Sequence, residues 1–197
     1  MEQPEVEHAH HHTGRPWWDL VLGVSAVCIS LVSIVLAIHN GHAMERLVQA
    51  NSWPFVKMTY TGYNQDGTAH NHLDLTNKGV GPANIESLEI FYEGKAMPGA
   101  RALLNAMLKR TTVSPNPRIL DASVVHNVLS AKEQITFVDF HSEDYSPEDY
   151  AAIRTGLREV ASRTCYCSVF DECWVADTRN QRPTKINACP VPEVLFQ

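Results

Sequence analysis

The stretch LVLGVSAVCISLVSIVLAI, Leu20 to Ile38, constrains this chain more than any other feature. It runs nineteen residues without a charge and is mostly Leu, Ile and Val. At about 1.5 Å per residue it matches the roughly 30 Å hydrocarbon core of a bilayer. Trp17 and Trp18 stand just before it, where amphipathic rings favour the membrane interface. A cleaved signal peptide would carry a shorter apolar run, about 7–15 residues, behind a basic start. Here the start is acidic, MEQPEVE, and no small-x-small cleavage site follows closely. The reading is one uncleaved transmembrane helix, with the lipid bilayer as its first partner.

The same segment carries Gly23, Ala26, Ser30, Ser33 and Ala37, spaced 3, 4, 3 and 4. That spacing aligns the small residues along one seam, like the a and d positions of a heptad. Lipid offers no hydrophobic drive between helices, so small residues that permit close approach do the associating, and seryl hydroxyls can add hydrogen bonds. The expected partner is a second copy of the chain or a larger membrane protein. Carrying the register on gives Asn40, Met44, Leu47 and Asn51, which predicts a short helical stalk that ends before Pro54. The expected organisation is a disordered His-rich tail over 1–16, helix and stalk over 17–50, and a globular domain over 51–192. The last residues, EVLFQ (193–197), resemble the remnant of a picornaviral cysteine-protease cleavage site and are expected to stand outside the fold.

A net charge of −6 and a pI near 5.9 exclude a nucleic-acid partner, which would need a basic patch to neutralise phosphates. Beyond the stalk the pattern changes from helical to alternating. WPFVKMTY (53–60), HLDLTN (72–77), NIESLEIFYEG (84–94) and QITFVDF (134–140) read as strands, and SVVHNVLS (123–130) as a further one. NKGVGPA (77–83) reads as a turn, with Gly79 and Gly81 expected to supply positive φ. GARALLNAMLKR (99–110) predicts a short helix. SPEDYAAIRTGLREVASR (146–163) predicts a longer one, capped by Ser146 with Pro147 in the first position, its buried stripe being Tyr150, Ile153, Leu157 and Val160. CYCSVFDECW (165–174) follows as a hairpin turning near Asp171 and Glu172. About seven strands with two inserted helices predict one transmembrane α-helix plus a mainly-β domain, an immunoglobulin-like β-sandwich or, alternatively, a small α+β sheet.

NSWPFV just after a membrane helix, followed by LTNKGVGPANI, resembles a pattern of bacterial single-pass membrane proteins of uncharacterised function. In that family a Trp-Pro strand start and an Asn-x-Gly-x-Gly-Pro-Ala turn belong to a small β-sandwich. The resemblance covers roughly Asn51 to Tyr92 and implies no catalytic residues.

No nucleophile elbow, dinucleotide fingerprint or phosphate loop is present, and isolated residues such as His126, Asp139 and His141 make no motif. The expectation is a protein without catalytic residues, a cofactor or assigned metal ligands. His8, His10, His11 and His12 offer soft imidazole ligands for Zn²⁺, Cu²⁺ or Ni²⁺, but a tail imposes no ligand geometry. His39 and His42 read as interfacial polar residues. His70 and His72 share one side of a strand, and with no third ligand in view they read as solvated.

Cys28 lies in the membrane segment and reads as a small apolar residue. Cys165, Cys167, Cys173 and Cys189 form an even set. A zinc knuckle or a thioredoxin-like motif would use Cys-x-x-Cys, whereas Cys-x-Cys on a strand splays both sulfurs along one face. Disulfides are the expectation, either Cys167–Cys173 with Cys165–Cys189 or Cys165–Cys173 with Cys167–Cys189. Either pairing requires an oxidising compartment. Flanking charge points the other way, with Arg15 before the helix and Arg46 and Lys57 after it. Four clustered cysteines outweigh a difference of one charge, which places the domain in the periplasm beside the inner membrane. The expected work is assembly, as an anchored accessory protein or homo-oligomer. The alternative is a ligand- or metal-binding module of the cell envelope.

Overall fold

The computed structural model describes residues 16–110, 120–121, 123–180 and 182–197. The chain divides into two compact units, Met1–Val48 and Gln49–Gln197. The predicted tail lies almost wholly outside the described residues.

The apolar stretch lies within one unbroken helix, α1 (Pro16–Asn51), about 54 Å long at 1.5 Å per residue. It is long and apolar enough to cross a membrane, and the side chains from Leu20 to Ile38 stay exposed. Every residue of the small seam lies on α1. Ser30 and Ser33 each donate their hydroxyl to the carbonyl one turn back, on Ala26 and Ile29, at 2.8 Å. The seam therefore offers seryl oxygens as acceptors, while the hydroxyl protons are spent within the helix.

The second unit is mainly β. Its strands are β1 (Val56–Gln65), β2 (Thr68–Asn77), β3 (Ala83–Tyr92), β4 (Lys95–Met97), β5 (Leu120–Asp121), β6 (Val128–Leu129), β7 (Gln134–His141), β8 (Ala161–Cys167), β9 (Cys173–Asp177) and β10 (Thr184–Ile186). Two helices, α2 (Ala100–Met107) and α3 (Pro147–Gly156), are inserted between them. The strands form two sheets, one ordered β1-β2-β7-β5 and the other β10-β9-β8-β3-β4, with β6 also paired to β3. The sheets share one core. Met58, Leu73, Leu75, Val138 and Phe140 come from the first sheet, and Ile85, Leu88, Ile90, Tyr166 and Trp174 from the second. Leu103 and Leu104 of α2 and Ile153 of α3 complete it.

The turn predicted at NKGVGPA is built around one side chain. Asn77 is fully buried, and its Nδ2 donates to the carbonyls of Gly81 (2.8 Å), Leu129 (3.0 Å) and Ser130 (3.2 Å). Its Oδ1 accepts from the backbone N–H of Phe55 (3.1 Å) and Gly79 (3.0 Å). The glycines serve close approach rather than positive φ, which among the described glycines belongs to Gly67 and Gly94. A Cβ at Gly79 would collide with the backbone of Trp53 to Phe55, and one at Gly81 with that of Ser52. The predicted turn thus docks on the chain just before β1, and the Trp53 carbonyl accepts from Val80 and Gly81.

Three further expectations are corrected. The helix predicted over 146–163 stops at Gly156, and β8 begins at Ala161, because β8 pairs with β3 from Phe91–Ala161 to Asn84–Cys167 and sheet pairing overrides local helix preference. Ser146 does cap it, accepting from Asp149 N–H at 3.1 Å. Only Val128 and Leu129 of the strand predicted over 123–130 pair, since His126 takes a φ of 62° and turns the chain. The segment 193–197, expected outside the fold, packs into it. Phe196 is buried edge-on to Phe137, and the backbone N–H groups of Phe196 and Gln197 donate to Leu88 and Pro98.

Replacing Asn77 by Ala removes five hydrogen bonds and strands buried backbone groups. An Asn77→Ala chain is expected to lose about 2–4 kcal/mol of stability, read as a lower urea midpoint for the detergent-solubilised protein. A shift under about 0.5 kcal/mol would contradict the central role given to this side chain.

Candidate metal centre

Residues directly opposite one another on neighbouring strands share a face of the sheet. In the first sheet Tyr63 of β1 faces His70 of β2, and His70 in turn faces His141 of β7. One step along, Thr61 faces His72, which faces Asp139. The alternation that sends Leu73, Leu75, Val138 and Phe140 inward therefore collects three histidines and an aspartate on the opposite side.

His141 Nε2 lies 3.0 Å from Asp139 Oδ2, and His70 Nδ1 lies 3.5 Å from the same oxygen. The ligand atoms of His70, Asp139 and His141 all lie within 4.8 Å of one another. A tetrahedral ion with bonds of about 2.1 Å holds its ligand atoms roughly 3.4 Å apart, so the trio spans the spacing such an ion needs. The 3.5 Å contact is long for a direct hydrogen bond. Asp139 Oδ1 is buried without a hydrogen-bond partner among the described residues. A carboxylate with one oxygen shared by two imidazoles and the other unmatched is a donor set that a divalent ion could complete.

The side chains of His70 and Asp139 are only 14% and 13% exposed, against 34% for His141, so the cluster is open on the His141 side. Tyr63 stacks on His70 with ring centroids 4.7 Å apart and meets His72 edge-on at 5.3 Å. An open cavity of about 390 Å³ shares Tyr63 and His70 with the cluster. It also holds Asn71, which accepts from the Tyr60 hydroxyl and donates to that of Tyr150. Burial pushes the Tyr150 hydroxyl pKa up, Tyr60 adds to the rise and the Asn71 bond partly offsets it.

His72, expected to be solvated, is buried, and its Nε2 lies 3.0 Å from Asp74 Oδ2. Asp74 is itself fully buried and accepts from Thr61 Oγ1 (3.1 Å) and Thr136 Oγ1 (2.7 Å). This second histidine–carboxylate pair is saturated by its own neighbours, whereas Asp139 keeps an oxygen unmatched among the described residues. The third ligand that the sequence reading lacked comes from β7. The available signal was a second alternate-residue pair, Asp139-x-His141, on a strand already predicted, yet only the β2–β7 register joins it to His70-x-His72. On α1, His42 faces Glu45 at 3.9 Å, and His8 to His12 lie outside the described residues.

The four carboxyl-side cysteines lie on or beside the outer face of the second sheet. Cys167 and Cys173 are directly opposite across β8 and β9 and are bonded, with Cα atoms 4.0 Å apart. Cys165 is bonded to Cys189 with Cα atoms 5.8 Å apart, which ties the terminal segment to β8. Cys167 Sγ also lies 3.8 Å from Cys189 Sγ, so both pairings open from sequence share one sulfur cluster. Disulfides fit an oxidising compartment.

Comparison with protein-family models, curated proteins and solved structures finds no match to this chain. The site therefore rests on its geometry.

Closing loops over 24 and 6 residues of sequence separation is worth about 3 and 2 kcal/mol respectively by the chain-entropy estimate. Alkylation of the denatured, unreduced protein is expected to modify Cys28 alone, and prior reduction to add four labels by mass spectrometry. Five labels without reductant would overturn the assignment.

Proposed function

We propose that this chain is a membrane-tethered metal-binding module whose β domain faces the periplasmic side of the inner membrane. The observation that carries the reading is the convergence of His70, Asp139 and His141 on one shielded carboxylate oxygen. Two imidazoles and a carboxylate suit Zn²⁺ and other divalent first-row ions, and three protein ligands leave one position open. The two disulfides support the oxidising side, and α1 supports the tether.

The domain is read as immunoglobulin-like. The order β1-β2-β7-β5 opposite β9-β8-β3-β4 follows the A-B-E-D and G-F-C-C′ order of that fold. It departs from antibody domains in carrying both disulfides on the second sheet and none bridging the two sheets.

Zn²⁺ titration of the detergent-solubilised chain tests the metal reading, with His8, His10, His11 and His12 replaced by Ala to remove the tail's ligands. One equivalent is expected to bind, and His141→Ala or Asp139→Asn to weaken it by ten- to a hundredfold or more. Affinity is expected to fall as pH drops, because protons compete for the imidazoles. Unchanged binding in both variants would remove the site.

A second reading, association through α1, is favoured by the unbroken run of the small seam into exposed Met44 and Leu47. It holds the protein to be an accessory subunit or homo-oligomer. Replacing Ser30 and Ser33 by Leu is expected to disperse the assembly in detergent, as read by light scattering. An unchanged mass would count against it.

A further inference from the structure

The inner faces of β1, β8 and β9 leave a cavity of about 560 Å³ between them, well within the roughly 300–1,000 Å³ of small-molecule sites. Val56, Met58, Leu157 and Val160 line it, buried and apolar, and Ser162 and Thr164 bring two buried hydroxyls to the same lining. Its rim has the opposite character. Lys57, Lys78 and Arg158 line the cavity with exposed side chains, and none of the three forms an ion pair among the described residues. In a chain of net charge −6, three unpaired cations around one opening mark a local excess of positive charge. The one carboxylate in the lining, Asp177, is already engaged. Arg179 donates to both its oxygens and holds its pKa below the usual carboxylate range, and Arg163 lies 3.7 Å away.

A mostly apolar interior behind an unpaired cationic rim is complementary to an apolar chain that ends in an anion. A neutral ligand would leave the rim unmatched, and a small polar anion would leave the interior unfilled. We propose that this cavity takes the acyl chain of a fatty acid, with the carboxylate held by Lys57, Lys78 and Arg158. The site is separate from the histidine cluster, and the two proposals stand or fall independently.

The test uses the full chain in nanodiscs of phosphatidylcholine and a decanoate analogue carrying a diazirine on its chain. After irradiation, label is expected on the peptides holding Val56 to Tyr60 and Leu157 to Thr164. Competition by decanoate is expected to be roughly tenfold more effective than by octanoate, since each buried methylene tightens binding by about three- to fourfold. The matching alcohol analogue is expected to label at least fivefold less, and so is the decanoate analogue on the Lys57→Gln, Arg158→Gln double variant. EDTA is expected to change nothing. Label confined to Pro16–Asn51, which would report partition into the bilayer, overturns the proposal. Equal labelling by the alcohol, or by the acid on the double variant, overturns it as well.

Discussion

The hydrogen bonds of Asn77 hold together parts of the domain that sequence keeps far apart. One amide joins the backbone before β1, the β2–β3 turn and the end of β6, across 22, 4 and 52 residues of separation. A fully buried amide costs several kcal/mol unless its donors and acceptor are matched, so this site tolerates one arrangement of the surrounding chain. Gly79 and Gly81 belong to the same constraint, because a side chain at Gly79 would push the turn off the Trp53–Phe55 backbone and one at Gly81 would push it off Ser52. Asn77 also sets the phase of β2. It lies on the inner face opposite Val56, so Thr76, Asp74, His72 and His70 fall on the outer face. A slip of one residue would exchange the two sets and bury the histidines in place of Leu73 and Leu75.

That dependence explains what was legible in the sequence. The long apolar helix was plain because Leu20 to Ile38 run nineteen residues without a charge or a proline to break it. The longer strands were plain because their apolar residues alternate. The start of α3 was equally clear, since Ser146 and Pro147 act within one turn of themselves. Its end was not. Residues 157–163 continue a helical stripe of Leu157 and Val160, and only pairing with β3 turns Ala161 onward into strand. The close approach at Gly79 and Gly81 was invisible for the same reason, because it depends on a segment more than twenty residues earlier. Phe196 shows the opposite error: a terminus judged by its resemblance to a protease site in fact fills space beside Phe137.

The candidate metal site was half legible. His70 and His72 were seen to share a side, but a ligand set needs a third member, and Asp139 and His141 lie on β7, beyond α2, β5 and β6. Neither pair is distinctive alone. The two become one cluster only when β7 lies beside β2, with its register shifted by the irregularity at Leu73 and Asp74. Upstream of that shift His70 meets His141 and His72 meets Asp139, while downstream Asp74 meets Thr136. The shift thus separates the cluster of His70, Asp139 and His141 from Asp74, which two threonine hydroxyls and His72 already satisfy.

The cysteines bear on the same chemistry. Four of the five are held in disulfides, and the fifth, Cys28, lies in the apolar helix. Thiolate ligands are therefore withdrawn from the β domain, and any transition metal there must be met by nitrogen and oxygen. Imidazole and carboxylate keep their ligand character under the oxidising conditions that preserve disulfides, whereas a free thiol ligand would be lost to oxidation. A histidine–aspartate cluster on one sheet and paired sulfurs on the other are thus compatible demands on one environment. Moved to a reducing compartment, the domain would lose the stabilisation of both cross-links, whose loops are nested so that their separate contributions do not simply add. Its four thiols would then compete with His70, Asp139 and His141 for any divalent transition ion.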